Sequence, residues 1–187
     1  MSKLLGTVSS EGGPLLIADA TFIQSWRGID DGGADYDRAC ELSGNGGEIT
    51  LGAGHGVLWE MGPGTATVVR QSESTLVLSC GWFETADPDD ESFVSLASLP
   101  LSDLSVALGE VTVHSGTLVI LWAPENGRCV ESTVVPSDGI PTGEMSMGGT
   151  GLIVAVRPGR YAFLHDEVET DHAGAQRCHV RRLDGST

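Results

Sequence analysis

Glu11-Gly12-Gly13-Pro14-Leu15-Leu16-Ile17-Ala18-Asp19 passes from a tight turn straight into an apolar run. Glycine accepts backbone conformations closed to other residues, and proline sets φ near about −65°, so the Gly-Gly-Pro step starts a new extended segment. Residues 15–18 read as a strand. Asp19 reads as the N-cap of a short helix carrying Ala20, Phe22 and Ile23 to about Trp26, with Gly28 ending it. The loop Asp30-Asp31-Gly32-Gly33 follows. Asp35 then reads as a second N-cap, for a short helix from Tyr36 to about Leu42.

From Gly46 onward the pattern is β. Short Val/Leu/Ile runs at 48–51, 56–61, 66–70, 76–83, 110–114, 117–123, 128–135, 151–157, 159–166 and 176–183 alternate with Gly, Pro and Ser. Gly62-Pro63-Gly64 reads as a hairpin-type turn, and residues 93–104 as a loop with one helical turn broken by Pro100. The expected fold is mostly β (α+β). Antiparallel sheets form one compact domain over residues 1–187, with two short helices near the N-terminus. A weak self-similarity sets residues 47–51 and Trp59 against residues 109–113 and Trp122. Two similar β-modules, 1–86 and 105–187, joined by the acidic and Ser/Leu-rich segment 87–104, stand beside chance likeness between two hairpins as equal readings.

The charge is lopsided. The chain has 26 acidic and 10 basic residues, a net charge of −16. Residues 157–187 hold five arginines and five acids, so residues 1–156 carry the whole imbalance. Nucleic-acid binding needs a basic patch, which this balance argues against. A basic protein partner suits it, because complementary fields speed encounter. The longest largely apolar run, residues 117–123, is seven residues long with Thr117 included, far short of the 18 or more of a membrane span. No signal-peptide pattern opens the chain, so a cytoplasmic protein with reduced thiols is expected. Cys40, Cys80, Cys129 and Cys178 have no metal or redox spacing and read as small buried hydrophobes.

Catalytic signatures fail one by one. His165, His172 and His179 lie seven apart among Asp166, Glu167, Glu169 and Asp171, yet an odd spacing along strands alternates faces. They read as partly exposed polar positions, and neither metal nor cofactor is expected. Asp87, Asp89, Asp90 and Glu91 have Ser92 and Ser98 where a calcium loop needs Gly and Glu. Gly52-Ala53-Gly54-His55-Gly56 lacks the third glycine of a dinucleotide fingerprint, and Lys3 is the only lysine. No Gly-x-Ser-x-Gly elbow occurs. Cys178 and His179 are adjacent and so face opposite ways on a strand. Trp59, Trp82 and Trp122 sit in apolar runs and read as core. Trp26, at a helix end beside Arg27, reads either as a staple onto the sheet or as a binding anchor.

The block Glu11-Gly12-Gly13-Pro14-Leu15, Trp26-Arg27-Gly28 and Asp35-Tyr36-Asp37-Arg38-Ala39-Cys40 resembles the immunity protein 21 family of bacterial polymorphic toxin systems. The likeness is strongest over residues 8–60. It implies a mostly-β, non-enzymatic protein that neutralises a cognate toxin encoded beside it. It also implies a basic toxin such as a nuclease, since the inhibitors of such toxins are often acidic. The resemblance carries over no binding residue. From charge and expected exposure, the candidate contact residues are Asp30, Asp31, Asp35 and Asp37, then Asp87, Asp89, Asp90 and Glu91, with Trp26 and Tyr36 as anchors. A β-rich assembly protein joined through edge strands and a metal-dependent enzyme built on the three histidines are the alternatives.

Overall fold

The computed structural model describes residues 2–42, 44–85, 88–130 and 150–183. In chain order the elements are β1 (Lys3–Ser10), β2 (Leu15–Asp19), α1 (Ala20–Ile23), α2 (Ala34–Cys40), β3 (Gly46–Leu51), β4 (Gly54–Trp59), β5 (Gly64–Ser72), β6 (Thr75–Phe83), α3 (Asp90–Ala97), β7 (Val106–Val113), β8 (Thr117–Trp122), β9 (Gly151–Ala155), β10 (Gly159–Glu169) and β11 (Ala173–Arg182). One antiparallel sheet has the order β1-β5-β6-β11-β10-β7, the other β3-β4-β2-β8-β9. The mostly-β, antiparallel reading with two short N-terminal helices holds.

The sheets face each other. Val8, Val68, Leu78, Phe163 and Val180 from the six-stranded sheet pack with Ile17, Val57, Trp59, Ile120 and Val154 from the five-stranded one. Each fully buried side chain of this size stabilises by about 1.5–3 kcal/mol. A second apolar layer covers the outside of the five-stranded sheet, where Ile23, Trp26, Ala39 and Val130 lie over Leu16, Leu58 and Leu121. Ala97 of α3 covers Val69 and Val77 on the outside of the six-stranded sheet.

The order of strands mirrors itself. β1 pairs with β5 at one edge and β7 with β10 at the other, while β6–β11 and β2–β8 form the two centres. Both edge strands carry a bulge, at Leu5 and at Leu108, where one extra residue interrupts the register. The sequence follows this correspondence: Leu5-Gly6, Val8, Gly13, Leu15 and Ile17 recur as Leu108-Gly109, Val111, Gly116, Leu118 and Ile120. The match of 47–51 with 109–113 does not follow it, because β3 belongs to the five-stranded sheet and β7 to the six-stranded one.

Four local expectations are corrected. β1 is a strand the sequence reading lacks. α3 is an eight-residue helix rather than one turn. Gly62-Pro63-Gly64 carries the chain from one sheet to the other instead of closing a hairpin. Gly127–Cys129 is a 3-10 turn capped by Asn126 where a strand over 128–135 is expected; residues 131–135 lie outside the described ones.

Candidate functional site

The N-terminal block folds as a lock on the outside of the five-stranded sheet. Asp19 caps α1 through the Thr21 N–H at 2.6 Å, and its other oxygen accepts the His114 and Ser115 N–H groups. Burial would raise its carboxyl pKa, but these hydrogen bonds prevail and hold it below the usual value. The Trp26 indole N–H donates to the Ala123 carbonyl at 2.8 Å. Gly28 (φ +59°) lies so close to the Pro124 carbonyl that a Cβ would come within 2.1 Å of it. Asp35 is not an N-cap: Gly33 holds that position. Its carboxylate instead accepts the Arg27 N–H at 2.8 Å and pairs with Arg38 at 2.6 Å.

Trp26 is 0% exposed, so its reading as a binding anchor is corrected. A fully covered indole whose N–H is already bonded offers a partner nothing. Tyr36 is half-buried, with its hydroxyl against Gly13. Burial first, then the Cys40 thiol, raises its phenol pKa. Asp30 accepts from Asn126 at 2.5 Å, and Asp37 is exposed. Asp31 lies in the same 3-10 turn as Asp30, Asp30–Gly32.

In the second acidic cluster, Asp89 is the N-cap of α3. It accepts the Ser92 N–H at 2.9 Å and the Ser92 hydroxyl at 2.7 Å, which lower its pKa. Asp90 and Glu91 follow, exposed, in the first turn. Asp87 lies outside the described residues. The far end of α3 is held by a buried charge cluster that sequence reasoning missed. Arg177 pairs with Asp166 through Nε at 3.0 Å and a second nitrogen at 2.5 Å, and donates to the Leu96, Leu99 and Pro100 carbonyls. The Ser102 N–H and His179 Nε2 complete the shell of Asp166. Burial pushes the Asp166 carboxyl up, but His179, Arg177 and Ser102 together hold it well below the carboxylate range. The signal was present as an i, i+11 pair opposed across a hairpin, Asp166 against Arg177.

The histidines do not converge. His165 faces the inter-sheet core, where its Nδ1 accepts the Trp59 indole N–H at 3.1 Å. His179 lies on the opposite face of the same sheet against Asp166, and both are buried, not partly exposed as expected. His172 is exposed and bonds Glu84 at 2.8 Å, beside a cleft of about 600 Å³ floored by Phe83, Leu96 and Leu99. Among the described residues no three His, Cys, Asp or Glu side chains come together as a metal site. Trp59 is core, whereas Trp82 is not. Cys178 is buried and its pKa strongly raised, whereas Cys40 is exposed.

Charge is segregated along the six-stranded sheet. At one end, register sets Lys3 against Arg70, Thr75 against Arg181 and Tyr161 against Arg182, with Arg157 and Arg160 beside them. Six of the ten bases gather there, of which Arg157 and Arg160 pair with Glu73 and Glu110, so the bases outnumber these acids six to two. The other end holds Glu84, Glu167, Glu169 and Asp171, and no Lys or Arg lies in those strand ends. Tyr36 brings α2 to this acidic end through Gly13, and Ser92 brings the start of α3 there beside Phe83 and Glu84. Two acidic clusters some fifty residues apart in sequence thus border the same end of the molecule.

No helix among the described residues is long and apolar enough to cross a membrane. No curated protein and no solved structure matches the chain. A family model described as Immunity protein 21 matches residues 7–174, which take in the Gly-Gly-Pro turn, the Trp26 lock, α3 and the strands from the second half of β1 through β10, and stop at the start of β11. The chain belongs to the Immunity protein 21 family.

Proposed function

We propose that this protein neutralises a cognate protein toxin in the cytoplasm by docking its acidic end over the toxin. The observation that carries the reading is the charge segregation within a member of an immunity family. A basic toxin, such as a nuclease, is drawn in by the acidic field and oriented by the basic end pointing away. Inhibition is by coverage: an interface of ordinary size, about 800 Å² per partner, is enough to close an active-site cleft. Asp30, Asp31, Asp37, Asp87, Asp90 and Glu91 are the contact residues in this reading. Tyr36 lies at the interface edge, and Asp35 and Asp89 act by holding α2 and α3 in place. The inhibitor needs no cofactor of its own. The domain reading belongs to the same proposal: one domain made of two similar modules, 1–86 and 105–187.

At the six-stranded sheet, edge-strand assembly is disfavoured by the edges themselves. Both edges of the six-stranded sheet carry bulges, which disrupt pairing with another chain. The β7 edge is further occupied, since its Glu110 N–H donates to Glu48 of β3 at 2.9 Å.

The test is co-expression with the neighbouring gene, which in this reading encodes the toxin. Restored growth is the expected result. Continued toxicity in the presence of folded, abundant immunity protein would remove the proposal.

A further inference from the structure

At the acidic end, the six-stranded sheet runs past the five-stranded one. The sandwich closes at the row Leu78–Cys178–His165, where Trp59 bonds His165. Two further cross-strand rows continue the same face beyond that point: Cys80–Gln176–Glu167 and Trp82–Gly174–Glu169. Alternation along the strands puts these side chains on the face that carries Leu78, Cys178 and Phe163 into the core, but among the described residues no strand of the opposite sheet lies over them. The result is a groove of about 640 Å³ walled by Met61 and Leu104.

Trp82 dominates the groove. It is 49% exposed, far from the burial its apolar run predicts. Its partner across the strands is Gly174, where a Cβ would fall 2.8 Å from the indole nitrogen. The absent side chain makes room for the ring over Gly174, and about half of the Trp82 surface stays open to solvent. Leu104 beside it is 87% exposed. Glu167 and Glu169 are exposed at the other side, and neither Lys nor Arg lines the groove. An open indole with carboxylates a strand or two away fits a cation carried on an apolar stem, since the ring attracts the cation while the carboxylates pair with it.

We propose that this overhanging platform is the anchor site for the toxin, receiving a segment that presents an Arg or Lys beside an apolar side chain, with Trp82 as the central contact. The occupant is chosen by charge: the groove is acidic and lies at the acidic end, which fits a basic segment, whereas a second copy of this chain carries the same net charge of −16 and meets overall repulsion on approach. Trp82 joins an apolar centre to a charged rim, the arrangement that concentrates binding energy in protein interfaces. The inference rests on the immunity reading and goes further by naming the surface.

The experiment measures affinity between the purified toxin domain and three variants. Trp82→Ala is expected to weaken binding by roughly 10- to 30-fold. The pair Glu167→Lys with Glu169→Lys, both at exposed positions, is expected to weaken it at least comparably and to slow association. Glu73→Lys, at the basic end, is expected to leave it within about twofold. Thermal unfolding of each variant checks folding, and the charge variants keep the test decisive if Trp82→Ala proves unstable. Binding by the wild type with unchanged affinity in all three variants overturns the platform while leaving the immunity reading intact. Absence of any binding by the wild type overturns both. A homodimer that Trp82→Ala dissociates makes a second copy the occupant and also overturns the proposal.

Discussion

Arg177 is a charged residue that the fold uses as a structural fastener. Its guanidinium reaches the Asp166 carboxylate, the Leu96 carbonyl in the last turn of α3 and the Leu99 and Pro100 carbonyls just after it, so it ties a helix end to a sheet while remaining fully buried. Removing one partner of a buried pair leaves the other uncompensated. Arg177→Ala is therefore expected to lower unfolding free energy by about 3–5 kcal/mol in a denaturant titration. The pH dependence has an upper part, from His165, and a lower part that Asp166 shares with Asp19 and Asp89. Burial holds His165 below the ordinary histidine pKa despite Glu167 and Asp166, so the unfolded chain binds its proton first and stability falls as pH drops below about 6.5. Asp166 is held far below its unfolded value, so its contribution is present above about pH 4 and is lost as the pH falls further. Denaturant midpoints are expected to fall in two steps on acidification, with His165→Gln removing the upper one; a flat profile from pH 7 to 5 in the wild type would refute that assignment. At this scale the sequence was partly legible. The Asp19 cap and the opposed faces of Cys178 and His179 could be read from local rules. The burial of Trp26 could not, because its cover comes from Ala123, distant in sequence.

α3 and β1 show why elements were missed. Asp89 sits in an acidic run that reads as a solvated loop, yet its capping of Ser92 starts a helix whose burial falls only on Leu96 and Ala97. With so short an apolar face, periodicity gives little signal. Asp89→Ala is expected to lower the melting temperature by removing the cap, whereas Asp90→Asn is expected to leave it nearly unchanged. β1 is an edge strand in which only Val8 and Ser10 are buried, and Gly6, Thr7 and Ser9 dilute its alternation. The Trp-Arg-Gly signature was recognisable as a pattern but not as a mechanism. Its glycine is required by the Pro124 carbonyl that passes over it. Gly28→Ala should combine that clash with an unfavourable positive φ and destabilise by more than about 1 kcal/mol in equilibrium unfolding.

Across the whole molecule, the two central pairings, β6–β11 and β2–β8, join the first half of the chain to the second, and the inter-sheet core draws on both. Residues 1–86 expressed alone are therefore expected to lack a cooperative unfolding transition, which circular dichroism during heating would show. The mostly-β class was legible because alternation and turn residues are local. The mirrored strand order was not, because it depends on which strands meet across a hundred residues. Net charge was legible too, but its segregation was not: the arginines of 157–187 looked merely neutralising until strand register gathered four of the five at one end with Lys3 and Arg70. That segregation is the centre of the functional account. Its most direct test is the association rate with the purified toxin domain as a function of ionic strength. The expected result is a stoichiometric complex whose association slows by about tenfold or more from low to high salt, with Glu167→Lys and Glu169→Lys removing most of that dependence. A complex forming at a rate indifferent to both salt and those charges, or no complex at all, would contradict it.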